Sequence, residues 1–302
     1  MSTHQTAKTQ FITSPHSNTR FAYRRLGTSH GIPLLILTHF RGVMDTFDPL
    51  LVNTLSQSRS LILIDYAGVG LSSGTVATTV KQSADDILDF LHLIGEREID
   101  LLGFSLGGFV AQLVTLNADS QKLRVRKLIL TGTTPSYGTG IQASPNATEV
   151  GELGGTKDVD IEVFKTLFFP KSREGKIAVQ QWWARINERG AATSGEEPAT
   201  WLSQGYADAA RGLMAQVGQV ASWAGEETSK GVEGSFERLK GLGIPVLVAN
   251  GHDDFMIPTV NSWVAQQQLP NAQLIVYPNS GHGFLFQYAA LFAKHALLFL
   301  EA

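Results

Sequence analysis

The chain contains no cysteine among its 302 residues. That absence excludes a disulfide framework, a thiolate metal site and a cysteine nucleophile together. No apolar run approaches the roughly 18 residues that a membrane-spanning helix requires. Charge is sparse and nearly balanced: 24 Lys+Arg against 27 Asp+Glu leave a formal net charge of −3. Apart from the short stretch 123–127 there is no cluster of basic residues, so nucleic acid is not expected as the main partner. The N-terminal MSTHQTAKTQ is polar and lacks the apolar core of a secretory signal, so the expectation is a cytoplasmic protein. Against these absences stand 43% hydrophobic residues in a chain long enough to bury a large core, which excludes general disorder.

Two kinds of segment alternate from about Phe21 to Gly132. PLLILTHF (33–40), LILID (61–65), IDLLGF (99–104) and VRKLILTG (125–132) read as buried strands, and longer segments with helical periodicity separate them. In 78–95, Val80, Ile87, Leu88, Leu91 and Ile94 share one helical face, while Asp85, Asp86 and Asp89 read as a solvated surface. Such alternation predicts a mostly parallel sheet flanked by helices, an α/β class. The segments near 10–14 and 19–26 have no helix between them and predict an antiparallel hairpin at the sheet edge. The alternation stops near Pro135 and resumes at IPVLVANG (244–251), followed by a helix at 259–268, a strand at 273–278 and a final helix from Phe284.

The interval 136–240 begins with a Gly/Ser/Thr/Pro-rich stretch and continues as helical segments at 159–169, 172–189, 198–224 and 235–241. Sheet elements flank it on both sides, so it reads as an insertion into one body (1–135 and 241–302) rather than as an independent domain. Trp182, Trp183, Trp201 and Trp223 all fall within it. Large side chains pack a small helical layer onto its host, and Trp182, Trp183 and Trp201 are also the candidates for lining an apolar pocket.

The pattern Gly-x-Ser-x-Gly occurs three times. Gly27–Gly31 and Gly70–Gly74 lie in turn-like surroundings. Only Gly103-Phe104-Ser105-Leu106-Gly107 has a strand leading directly in and a helical segment, LGGFVAQLVTLNA, leading directly out. This strand–elbow–helix context exposes a serine nucleophile, and the glycines remove side chains that would clash in so tight a turn. The helix N-terminus directs unpaired N–H groups toward whatever lies above Ser105. A serine hydroxyl needs a base to take its proton. Of the eight histidines, His4 and His16 lie in the polar N-terminal stretch, His30 in a hairpin turn, His92 and His295 within helices, and His39 where it supports the turn after a strand. His252 is followed by two acids. His282, in the glycine-flanked loop between the last strand and the last helix, belongs at the carboxyl edge of the sheet with Ser105. The acid that orients it comes from GHDDFMIP (251–258), as Asp253 or Asp254.

Together these segments resemble the α/β-hydrolase superfamily over the whole chain, with a helical cap at 136–240 inserted after the sixth strand. LLGFSLGG is similar to the nucleophile elbow, SGHGFLFQ to the histidine loop and DYAGVGLSS (65–73) to a turn whose role in that family is structural. GHDDFMIP resembles the family's Gly-x-x-Asp turn, which implies Asp254 as the acid. The family pattern His-Gly-x after the third strand is altered here to Thr38-His39-Phe40-Arg41-Gly42. The resemblance implies an oxyanion hole of the Leu106 N–H and a second N–H, from Phe40 in preference to Arg41. Arg41 is then a cation near the pocket mouth, binding a substrate carboxylate or pairing with an acid.

The expected chemistry is cleavage of a small to medium apolar carboxylic ester or lactone by Ser105, His282 and Asp254, with no metal and no organic cofactor. Carbon–carbon bond hydrolases and cofactor-free perhydrolases of this family share the triad and remain alternatives. Hydrolase-like receptors that bind a ligand with negligible turnover are an alternative of another class. A serine at 105 excludes relatives that use an aspartate nucleophile. Neither the substrate nor the oligomeric state is legible.

Overall fold

Strands form where short apolar segments are stopped by Gly, Pro or Asp, and the computed structural model, which describes residues 2–28 and 30–302, joins eight of them into one sheet. They are β1 (Gln10–Thr13), β2 (Arg20–Gly27), β3 (Leu34–Leu37), β4 (Ser60–Ile64), β5 (Glu98–Phe104), β6 (Arg124–Thr131), β7 (Val246–Gly251) and β8 (Ala272–Tyr277). Their order across the sheet is β1-β2-β4-β3-β5-β6-β7-β8. The β1–β2 and β2–β4 pairs are antiparallel and the others parallel. The edge hairpin is therefore present at β1–β2. The segment after β2 is a crossover rather than a hairpin turn, because β4 separates β2 from β3; Ser29 itself lies outside the described residues.

The inner strands are apolar on both faces, as strands covered on two sides must be. Leu34, Ile36, Leu61, Leu63, Leu102 and Phe104 join one core cluster, while Leu35, Leu37, Ile62, Ile64 and Leu101 join the other. Helices α1 (Pro49–Ser56), α2 (Val80–Leu93) and α3 (Leu106–Asn117) follow β3, β4 and β5 in turn. Asp48 caps α1 by accepting the Leu50 N–H, and Thr79 with Gln82 forms a capping box at α2. Each fully buried side chain such as Leu51, Ile87 or Leu113 contributes about 1.5–3 kcal/mol. Asp86 departs from the expected solvated face: it is half-buried, and burial first, then Asp85 and Asp89, push its carboxyl up to about 6.

Between β6 and β7 the described residues form α4 (Ala147–Gly154), α5 (Ile161–Leu167), α6 (Arg173–Ile186), α7 (Ala191–Ser194) and α8 (Arg211–Ala224), with no strand. Three elements differ from the sequence expectation. Helix α4 lies inside the stretch that reads as loop. The expected helix over 198–224 is broken, because Ser203, Tyr206, Ala209 and Ala210 adopt positive φ before α8 begins. The 236–241 segment is a 3-10 helix rather than an α-helix. After α9 (Val260–Gln268), the last helix divides at Tyr288 into α10 (Phe284–Gln287) and α11 (Ala289–Glu301).

The N-terminal stretch is not a solvated tail. His4 is fully buried, with Nε2 against the Met44 carbonyl oxygen at 2.9 Å, and Arg189 donates to the carbonyls of His4 and Gln5. Among the described residues, no helix is long and apolar enough to cross a membrane.

Candidate active site

The parallel strands deliver four loops to one edge of the sheet. At the end of β5 the chain turns sharply, and Ser105 holds φ 56 and ψ −121, outside the regions that side chains ordinarily adopt. The close approach explains the glycines. A Cβ on Gly107 would lie 2.3 Å from the Leu37 carbonyl oxygen, and one on Gly103 the same distance from that of Gly107. The Ser105 hydroxyl makes no capping bond to α3, and its backbone is pinned instead, with N–H donating to Thr131 and C=O accepting from the Thr133 hydroxyl, each at 2.9 Å.

His282 follows β8 and Asp254 follows β7, and the two side chains are fully buried together. The His282 Nδ1–H donates to Asp254 Oδ2 at 2.8 Å, the tautomer a carboxylate acceptor selects. The other carboxylate oxygen accepts the N–H groups of Met256 and Ile257, at 2.8 and 2.9 Å. His282 Nε2 is buried without a protein partner among the described residues. The imidazole packs on Phe104, the residue before Ser105, with ring centroids 5.0 Å apart, and on Phe168 of the insertion at 5.3 Å. Asp253 is placed elsewhere, paired with His252 at 2.6 Å on the surface.

The loop after β3 supplies the opposite wall. Arg41 holds φ 60, and its backbone N–H donates to Gln216 Oε1 at 2.7 Å. The Phe40 carbonyl accepts from His39 Nδ1 at 3.0 Å. Both ends of the peptide joining Phe40 to Arg41 are thus occupied. The Phe40 N–H has no protein acceptor among the described residues, nor has that of Leu106 at the first position of α3. Asp65, in the 65–73 turn, accepts the N–H groups of Met44 and Leu71 and so supports this loop, although burial pushes its carboxyl up to about 7.

A cavity of about 30 Å3 is lined by Ser105, His39, Phe40, Arg41, Trp201 and Met256. Leu153 and Gly154 of α4 and Val163, Phe164 and Leu167 of α5 complete it, with Val159 and Phe168. These residues of the insertion, apart from Trp201, were missed by sequence reasoning; for Val159, Val163, Phe164, Leu167 and Phe168 the only signal was the apolar spacing within 159–169.

Three expectations about the pocket are corrected. Trp182 does not line it: its ring packs behind Phe164 and Phe168, at 4.8 and 5.8 Å. Trp183 lies further out and stacks on Trp201 at 6.5 Å. Among the described residues the Arg41 guanidinium bonds to no acid; it donates to the carbonyls of Leu202, Gly154, Thr156 and Ser203 at 2.7–3.2 Å.

His39 is buried beside the cavity, and burial first, then the Coulombic effect of His282, lowers its pKa to about 3 against the bond to Phe40. Its imidazole is therefore neutral in the fold. In the unfolded chain it gains a proton near pH 6.5, so the stability it contributes falls as pH drops from 6.5 toward 3. At pH 5 the loss amounts to about 2 kcal/mol. Urea melts of the wild type and His39→Gln at pH 7 and pH 5 should show their difference in ΔG shifting by about that amount in the variant's favour at pH 5; parallel pH dependence would refute the assignment.

A family model described as the alpha/beta hydrolase fold matches residues 30–288. An alpha/beta hydrolase fold protein from Chitinophaga pinensis is 33% identical and superposes with a TM-score of 0.84 over 100% of both chains. The pimeloyl-[acyl-carrier protein] methyl ester esterase of Nitrosomonas europaea is 27% identical over 76% of this chain and 81% of its own. A non-heme haloperoxidase of Rhodococcus erythropolis is 24% identical over 97% of this chain and 99% of its own.

Proposed function

The chain belongs to the α/β-hydrolase fold family, and we propose that this member is a serine hydrolase of small to medium apolar carboxylic esters or lactones. The observation that carries the reading is the buried Asp254–His282 pair, whose free Nε2 shares the sheet edge with an uncapped serine at positive φ. His282 takes the Ser105 proton as the hydroxyl attacks the carbonyl carbon. Asp254 holds the tautomer and stabilises the imidazolium without becoming protonated. The N–H groups of Phe40 and Leu106 receive the oxyanion; removing one such donor typically costs ~10²–10³ in turnover. His282 then protonates the leaving alcohol, and water repeats the cycle on the acyl-enzyme.

The cavity lining supports an apolar substrate, since the guanidinium of Arg41 is already committed to four backbone carbonyls and His39 is neutral. A space of about 30 Å3 holds about two waters, well below the ~300 Å3 of a small ligand pocket. We therefore assign 136–240 as a cap, with α4 and α5 moving aside to admit substrate. The ester relative from Nitrosomonas favours this substrate class.

The haloperoxidase relative, aligned over nearly the whole of both chains, favours a second reading in which peroxide replaces water on the same acyl-enzyme. Steady-state assays with short p-nitrophenyl esters, lactones and a vinylogous diketone, each with and without hydrogen peroxide, test both. Turnover of esters or lactones independent of peroxide is expected. Peracid formation outpacing hydrolysis would favour the second reading, and turnover of the diketone alone would overturn the substrate class.

A further inference from the structure

Two neighbouring N–H groups, those of Phe40 and Arg41, are available in principle to the oxyanion, and this chain selects between them with groups from outside the loop. The Arg41 N–H is occupied by Gln216 Oε1 at 2.7 Å, and the Arg41 carbonyl accepts the Leu202 N–H at 2.9 Å. Its guanidinium is fixed to carbonyls of Gly154, Thr156, Leu202 and Ser203. Every one of these partners lies between β6 and β7, 113 to 175 residues further along the chain. Gln216 is 1% exposed and lies on the α8 face that packs on α2, where Gln219, one turn on, accepts from Ser83 and donates to the Ala77 carbonyl. Gln216 and Leu106 also border the same small cavity, with Tyr66 and Asp86. One side chain therefore holds the N–H next to one proposed oxyanion donor and borders a cavity with the residue that carries the other.

We infer that Gln216 is a positioning residue for the oxyanion loop: by holding the Arg41 N–H it fixes the Phe40 N–H toward Ser105, and it does so only while the inserted helices are seated on the sheet edge. The inference rests on the hydrolase reading above and deepens it. Arg41 keeps its positive φ because each of its polar groups has a partner in the seated insertion. When α8 lifts, the Arg41 N–H loses its acceptor, the loop relaxes, and one of the two oxyanion donors leaves its place. Assembly of the hole is thereby coupled to closure over bound substrate, which protects the acyl-enzyme from forming in an open site. Gln216 itself touches no reacting atom.

Gln216→Met keeps the side-chain length and removes the acceptor, whereas Gln216→Glu keeps an acceptor oxygen. With p-nitrophenyl butyrate, Gln216→Met is expected to lower kcat by ~10–100-fold, less than outright loss of an oxyanion donor, with KM changed by less than about threefold. Butylboronic acid, which adds to the serine as a tetrahedral anion, should bind more weakly by a matching factor. Gln216→Glu should recover most of the rate. Amide exchange across 38–44, followed by mass spectrometry without substrate, should accelerate in Gln216→Met and stay slow in Gln216→Glu. Unchanged kcat, a loss confined to KM, or unchanged exchange in Gln216→Met would each overturn the inference. A wild type with neither turnover nor boronate binding would refute the hydrolase reading, while the exchange data would still report whether Gln216 holds the loop.

Discussion

Ser105→Ala is expected to lose ~10⁴–10⁶ in kcat on any ester the wild type turns over. It should also lose all labelling by a fluorophosphonate probe. The size of the loss follows from the roles of the parts. On the hydrolase reading proposed above, the hydroxyl is the atom that forms the acyl bond, so its removal leaves only positioning and oxyanion donation to a water attack. The same logic makes the loss non-additive. His282→Ala should fall about as far as Ser105→Ala, and the double variant hardly further, because neither group accelerates the reaction without the other. Asp254→Asn should cost ~10⁴, because the amide no longer favours the tautomer in which Nδ1 carries the proton. Labelling mapped by mass spectrometry checks the assignment directly. A probe adduct on another residue, or a Ser105→Ala variant within tenfold of the wild type, would show that Ser105 is not the nucleophile. Absence of labelling in folded wild type would instead favour a ligand-binding protein.

The placement of those residues was legible because their signals are local. The strand before Ser105, the glycines around it and the helix after it occupy one short stretch, and the steric need for Gly103 and Gly107 can be read before the fold is known. Asp254 lies one residue from Asp253, and what separates them is the turn itself: only Asp254 faces inward, with the Met256 and Ile257 N–H groups on its other oxygen. The sheet was legible for the same reason, down to the edge hairpin. Arg41 shows where local reading fails. Its acceptors are backbone carbonyls of Gly154, Thr156, Leu202 and Ser203, and carbonyls carry no sequence signature. Those same contacts draw 202–203 out of a helical path, so the expected helix over 198–224 fails with it. Trp182 and Trp183 are adjacent on α6 and so face different directions, but periodicity does not say which direction holds the cavity. Trp201 reaches it from an irregular segment instead.

Asp45→Ala is expected to destabilise the protein by about 3–5 kcal/mol, the usual cost of removing one partner from a buried ion pair. Asp45 lies between two guanidinium groups: Arg24 NH1 bonds Oδ1 at 2.5 Å, and Arg189 Nε sits 3.0 Å from the same oxygen. The Arg24 and Arg189 side chains are each 1% exposed, and Oδ2 accepts the Ala199 N–H at 2.8 Å. The carboxylate therefore joins β2, the loop after β3 and irregular segments of the insertion at one point. Among the described residues, its removal leaves Arg24 with only the Thr9 hydroxyl, and Arg189 with Glu196 at the rim and the carbonyls of His4 and Gln5. Thermal melts should show a fall of about 10 °C, taking ~2–4 °C per kcal/mol for chains of roughly this size; a shift under about 2 °C would contradict the account. The acid range supplies a second check. Burial works to raise the Asp45 carboxyl, but the Arg24 bond and charge prevail and hold it below the usual carboxylate range. A depressed carboxyl contributes its full stability above its unfolded value, near 3.9, and loses it only as pH falls through the lower native one. The difference in stability between the wild type and Asp45→Ala should therefore stay constant from pH 7 to about pH 5 and shrink only below about pH 4. Replacing Arg24, Asp45 and Arg189 together by Met, Leu and Met should restore much of the lost stability, because no buried charge is then left without its partner.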